Sequence, residues 1–213
     1  MTLATADPGL DMPRAMHRVY AVFFAGGLVF ASWAARMPQV RDRLHLTPSG
    51  LGVLLLSLSF GAVLGLPLAG LIVNRLGTRR TITVMSRLTA TGLALGAVGY
   101  EHGPPPVAVG LFAVGLGFGV WDVAMNVEGA AIEQGMDRSI MSRFPAGFSV
   151  GTVIGALISA ALVAAHVSVT ASLLMVALVI AFAVPCAARC SSAWSFSPPR
   201  SPRGPATTGS ASR

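Results

Sequence analysis

Six apolar blocks follow one another along this chain, near Val19–Ala35, Leu51–Val73, Thr81–Tyr100, Pro105–Val127, Phe144–Ala165 and Val167–Ala188. Each approaches the roughly 20 residues that an α-helix needs to cross a bilayer core. None shows the period-two alternation of barrel strands. Within lipid, only helices and closed barrels satisfy their own backbone polar groups. The blocks therefore predict an all-α, polytopic membrane bundle of six transmembrane helices. Between the fifth and sixth blocks there is room only for a tight turn, Ala165-His166-Val167-Ser168.

Composition closes the other routes. Hydrophobic residues make up 54% of the 213, charged residues 11%, and the mean hydropathy is +0.71. A soluble domain carries about 25% charged residues. Its net charge of +7 comes from arginine alone. The arginines lie between apolar blocks and are not interleaved with aromatics, so no nucleic-acid partner is expected. With the N-terminus inside, Arg14, Arg18, Arg75, Arg79, Arg80, Arg87, Arg138, Arg143 and Arg189, with Arg200, Arg203 and Arg213 of the tail, which weigh little, fall on the cytoplasmic side, against Arg36, Arg41 and Arg43 outside. This bias predicts a multi-pass protein of the bacterial inner membrane with both termini cytoplasmic.

Three regions are expected. Residues 1–17 form a cytoplasmic tail with no apolar signal-peptide core. Residues 18–188 form the membrane domain. Residues 189–213 form a Ser/Pro/Arg-rich stretch that is too polar and aperiodic to build a core and is read as disordered. Cys186 and Cys190 close the last block without accompanying ligands and are read as small apolar residues.

Glycines recur one helical turn apart: Gly61 and Gly65, Gly92 and Gly96, Gly115 and Gly119, and Gly147, Gly151 and Gly155. Small residues at this spacing let helices approach closely. Gly70-Leu-Ile-Val-Asn74-Arg75-Leu-Gly77-Thr-Arg79-Arg80 joins the second and third blocks. Here Gly70 is expected to permit a close helix contact and Gly77 a tight turn, with the arginines holding the loop at the cytoplasmic face.

Asp122 is the carboxylate set deepest in an apolar block. An ionised carboxylate at that depth is costly, so it should face the bundle interior or a cavity, where reversible protonation becomes feasible. Asn126 and Gly129 lie close to the same helical face, with Trp121 flanking it. Glu128 and Glu133, nearer the helix end, are expected to balance Arg138 and Arg143. Arg36 ends the first block and is expected to snorkel to the outer interface, with a substrate or gating role as the alternative. Trp33 has two readings, a place in the interfacial aromatic belt or a stack against a sugar ring. Pro145 opens the fifth helix as proline ordinarily does. There is no catalytic constellation and no phosphate-binding loop of the G-x4-G-K-S/T type, so neither enzymatic activity nor a cofactor is expected.

The Gly70–Arg80 stretch resembles the signature loop of the major facilitator superfamily, approximately G-x-L-a-D-r-x-G-R-R/K. Gly70, Arg75, Gly77, Arg79 and Arg80 fit; Asn74 stands where the family has aspartate and cannot offer a charge to a salt bridge. Ala31-Ser32-Trp33-Ala34-Ala35-Arg36-Met37-Pro38 and Asp122-Val-Ala-Met-Asn126 add a likeness to the bacterial branch related to fucose permeases. The resemblance implies a half-transporter of six helices in 3+3 inverted repeats. It also implies secondary transport of a small solute, such as a sugar, coupled to protons by alternating access. By resemblance Asp122 and Asn126 take the positions tied to proton coupling, while the first-helix carboxylate of fucose permeases has no counterpart. The family uses two six-helix halves with the substrate between them. A second half is thus expected, through a homodimer or a missing partner half. Two readings compete: a truncated, transport-inactive fragment, such as a frameshift would leave, and a proton-driven drug exporter.

Overall fold

The computed structural model describes residues 8–134 and 141–189, with side chains from Met16 to Gln134 and from Met141 to Ala188. The described residues form α1 (Pro8–Arg43), α2 (Pro48–Leu76), α3 (Thr78–Gly99), α4 (Pro104–Gln134), α5 (Phe144–Ala164) and α6 (Val169–Arg189), with one short 3₁₀ turn at Met141–Arg143. All six α-helices are long and apolar enough to cross a membrane. The stretch from 190 onward, including Cys190, lies outside the described residues, as do Asp137 and Arg138.

Helix ends follow local chemistry. Thr47 caps α2, its hydroxyl accepting from the Gly50 amide at 3.1 Å, with Pro48 in the first turn. Gly77 separates α2 from α3 in a single residue at φ +77°, a conformation glycine adopts without steric cost. The expected turn between α5 and α6 is present, with His166 at φ 56°. The first helix departs from expectation. It starts at Pro8, inside the stretch read as a tail, and runs past the apolar block to Arg43. Beyond Ala35 it stays helical because Trp33, Arg36 and Val40 continue one buried face.

Two helices hold the centre. α1 packs on α5, α6 and α4; α4 packs on α2, α3 and α1. α2 and α5 are the least buried. Two seams dominate the packing. In the α1–α5 seam, a Cβ on Gly27 would collide with the Phe148 carbonyl, and one on Gly151 with that of Phe24. In the α2–α4 seam, a Cβ on Gly115 would collide with the Leu58 carbonyl, and one on Gly61 with that of Phe112. Gly155 against Leu28 and Gly65 against Leu116 extend the two series by one turn.

These seams are copies of each other. Phe24, Gly27, Leu28 and Trp33 of α1 repeat at a constant offset as Phe112, Gly115, Leu116 and Trp121 of α4. Phe148, Gly151 and Gly155 of α5 answer in the same way to Leu58, Gly61 and Gly65 of α2. The chain is therefore two three-helix repeats, α1–α3 and α4–α6, packed crosswise. Three crossings are an odd number, so the second repeat starts on the opposite face and is inverted with respect to the first.

Two glycines behave differently from expectation. Nothing lies within 4 Å of a Cβ placed on Gly70 or on Gly96. Gly70 makes no close helix contact among the described residues; its place on α2 faces open space. A Cβ on Gly92, in contrast, would lie 2.6 Å from the Gly110 carbonyl, and one on Gly110 would lie 2.7 Å from the Gly96 nitrogen, so α3 and α4 are close at both Gly92 and Gly96 but of these only Gly92 excludes a side chain. This splits a pair that looks equivalent in sequence. Gly115→Val should lower stability by about 3 kcal/mol, the upper range for overpacking, whereas Gly96→Ala should change it by no more than about 1 kcal/mol. Thermal unfolding of the detergent-solubilised variants checks both.

Candidate functional site

The long fourth helix delivers two separate sets of side chains. Trp121, Met125, Glu128 and Ile132 form its buried face. Asp122 and Asn126, one turn apart, sit beside that face and are half-buried. Together with Phe23, Phe118, Met125, Pro145 and Phe148 they line a cavity of about 320 Å³ between α1, α4 and α5.

Within this cavity the Asp122 carboxylate has no hydrogen-bond or ion-pair partner among the described residues. The Asn126 side chain does not pair with it. Its amide nitrogen donates instead to the Asp122 backbone carbonyl at 2.8 Å, which orients the amide and leaves its oxygen able to accept. Aromatic rings supply the rest of the wall, Phe23 and Phe148 from the facing helices and Phe118 from α4 itself. Phe118 lies edge-on to Trp121 at 5.7 Å and 6.5 Å from Phe148. Phe118 and Phe148 were not singled out by sequence reasoning as cavity residues. The signal was available, because Phe118 precedes Asp122 by four residues and so shares its face.

The other candidates are elsewhere. Trp33 is buried rather than placed in an interfacial belt, because α1 turns it toward α2 and α4. It lines a smaller apolar cavity of about 70 Å³ with Val29, Phe30, Leu58, Ala62, Val114, Gly115 and Phe118. Phe118 thus stands between the two cavities. The indole nitrogens of Trp33 and Trp121 are buried without a partner among the described residues.

Arg36 lines neither cavity and does not snorkel outward. Its relative exposure is 0%, and its guanidinium bonds Ser172 Oγ at 3.3 Å, Gln39 Oε1 at 2.8 Å and the Val167 carbonyl at 3.2 Å. Arg36 and Asp122 lie in opposite halves of the bundle: Asp122 shares its cavity with Phe23, well before Arg36 on α1.

The α2–α3 loop presents Asn74, Arg75 and Arg80 as exposed side chains, while Arg79 is half-buried. Its anchor is a residue outside the signature. Thr78 Oγ1 donates to Glu128 Oε2 at 2.6 Å, and Thr81 Oγ1 donates to the Gly77 carbonyl at 2.8 Å. Glu128, expected to balance arginines at the interface, is instead buried against the start of α3, where the helix dipole favours a negative group. Glu133 accepts from the Met141 amide through Oε2 and so fixes the entry to α5.

Comparison with known proteins completes the description. The Major Facilitator Superfamily family model matches residues 19–212, running on past Ala188 into the Ser/Pro/Arg-rich stretch. The chain belongs to that superfamily, a class of multi-pass membrane transport proteins. It is 34% identical over 128 residues to an uncharacterized MFS-type transporter of Yersinia pestis, covering 60% of this chain and 33% of the relative. An uncharacterized transporter of Sinorhizobium fredii, y4wD, is 34% identical over 132 residues, covering 62% and 34%. Membrane protein MosC of Rhizobium meliloti is 34% identical over 112 residues, covering 53% and 27%. The match spans about a third of the length of these relatives.

Thr78 tests the anchor. Thr78→Ala leaves Glu128 buried without its partner, an expected loss of about 1–3 kcal/mol. Thr78→Ser keeps a hydroxyl and should recover most of it, as read by thermal unfolding.

Proposed function

We propose that this chain is one half of a secondary transporter that carries a small polar solute, with a sugar as the solute of first choice, together with protons. The observation that carries this reading is the unpartnered Asp122 carboxylate facing a cavity inside a membrane-spanning bundle. A carboxylate there is costly when ionised and alone. Two events relieve that cost: uptake of a proton, or arrival of a solute that donates hydrogen bonds. One group serving both links them.

The cavity walls suit this role. The rings of Phe23, Phe118 and Phe148 offer apolar faces to a sugar ring, and Asp122 and Asn126 offer directional acceptors. A few polar groups set in an apolar, aromatic wall is the usual make-up of a small-molecule site. The volume of about 320 Å³ is at the lower end for such sites. The likeness to fucose permeases favours a sugar over other solutes of the same size.

Transport by alternating access needs a second six-helix half, because the family binds substrate between halves. A second six-helix half, whether a second copy of this chain or any other, would supply it. With the N-terminus inside, the Asp122 cavity lies toward the cytoplasm, and Gly70, Asn74, Arg75, Gly77, Arg79 and Arg80 form the loop on that face. Asn74 cannot serve as an anionic latch, so Glu128 through Thr78 holds the loop instead. The far cavity beside Trp33 would lie further along the same path, with Phe118 between the two.

Proteoliposomes containing the purified chain provide the test. Sugar gradients should drive proton uptake in wild type, and Asp122→Asn should reduce that flux by at least about tenfold, the usual scale for loss of an acid–base group. Flux that survives Asp122→Asn would remove Asp122 from the mechanism. Absence of flux with every sugar tried would favour a transport-inactive half.

A further inference from the structure

Arg36 is a fully buried cation whose three acceptors are all neutral. A buried charge of this kind is retained only where its surroundings compensate it. Here neutral oxygens take up Nε and Nη1, and Nη2 is buried without a partner among the described residues. The Val167 carbonyl lies in the turn between α5 and α6. Ser172 lies in the first turn of α6 and is itself buried. One guanidinium therefore binds α6, the turn before it and α1 together.

The turn needs such a restraint. His166 has φ 56°, a left-handed conformation that costs a residue bearing a Cβ. Its own backbone bonds are local: the His166 amide donates to the Val163 carbonyl and the Val167 amide to the Leu162 carbonyl. Among the described residues Arg36 ties this turn to α1, while Thr170 Oγ1 in the first turn of α6 donates to the Ala97 carbonyl of α3 at 3.0 Å.

The internal repeat gives the contact a counterpart. α1 corresponds to α4 and α3 to α6, so the α1–α6 contact corresponds to the α4–α3 contact. In the latter, Glu128 near the end of α4 holds Thr78 at the start of α3. Arg36 near the end of α1 holds Ser172 at the start of α6. The two contacts are at opposite faces of the bundle and use opposite charges. The carboxylate meets a helix N-terminus, which favours it, whereas the guanidinium meets the turn between two helices and the first turn of α6.

We infer that Arg36 is an end clamp, on the helix pair that corresponds to that of Glu128 though not at the corresponding position, which fixes the α5–α6 turn and the start of α6 to α1. Its role is to hold this end of the bundle together while the opposite end is held independently. Two separate clamps let either end of the six-helix unit loosen without the other.

Hydrogen exchange of the full chain in lipid nanodiscs, read by mass spectrometry, tests the inference. Arg36→Ala should speed exchange of amides 166–172 by at least about tenfold, with amides 78–83 unchanged. Ser172→Ala removes one acceptor and should speed the same segment by a smaller factor; it carries the test if Arg36→Ala does not fold. Thr78→Ala should show the converse pattern, speeding 78–83 and leaving 166–172 unchanged. Unchanged exchange at 166–172 in Ser172→Ala and in any folded Arg36→Ala protein, or equal speeding of both segments by either variant, would overturn the clamp.

Discussion

At the α1–α5 and α2–α4 seams, helix backbones touch with only glycine hydrogen between them, and the placement of every other side chain follows from that approach. In lipid there is no apolar driving force to press helices together, so close contact must come from shape. A glycine facing a carbonyl brings two helices nearer than any side chain allows. The cost is helix propensity, up to about 1 kcal/mol per glycine relative to alanine. The chain bears it in both seams, at corresponding positions of its two repeats.

The seams also position the cavity. The Phe148 carbonyl abuts Gly27, while the Phe148 ring lines the Asp122 cavity. The Phe118 ring approaches a Cβ position on Gly26 at 3.3 Å and reaches both cavities. The aromatic wall is thus attached to the packing contact. Any slip of α5 along α1 moves a ring across the space where a solute would sit. Asp122 belongs to the other seam helix, α4, so the carboxylate and the ring opposite it are carried by helices that pack through different glycines.

Much of this was legible in one dimension. The apolar blocks gave all six helices, and the four residues between the fifth and sixth gave the turn, because length and hydropathy decide membrane crossing directly. Most glycine pairs were legible because one-turn spacing has a single geometric meaning. Gly70 and Gly96 were not, since spacing does not tell which neighbour is present. Arg36 and Glu128 were misread for a related reason. Each stands where an apolar block gives way to polar residues, and linear order suggests an interface. Their helical faces say otherwise: Trp33, Arg36 and Val40 share one, and Trp121, Met125, Glu128 and Ile132 share another. Charge at the end of a buried stripe, with a helix terminus opposite, is the pattern that marks them.

α3 is the least hydropathic of the six spans, and its hydroxyls explain how it lives in the bundle. Thr81, Thr83, Thr89 and Thr91 each donate to a carbonyl four residues back, so their polarity is absorbed within the helix. Toward Gly117 of α4, Thr89 presents its hydroxyl and α3 its backbone. Past its first turn, then, α3 has little to unlock: a small translation along α4 would break none of these four bonds. Among the described residues it is a bearing pinned near both ends, by Thr78 on Glu128 and by the Ala97 carbonyl, which accepts from Thr170 Oγ1 of α6 at 3.0 Å.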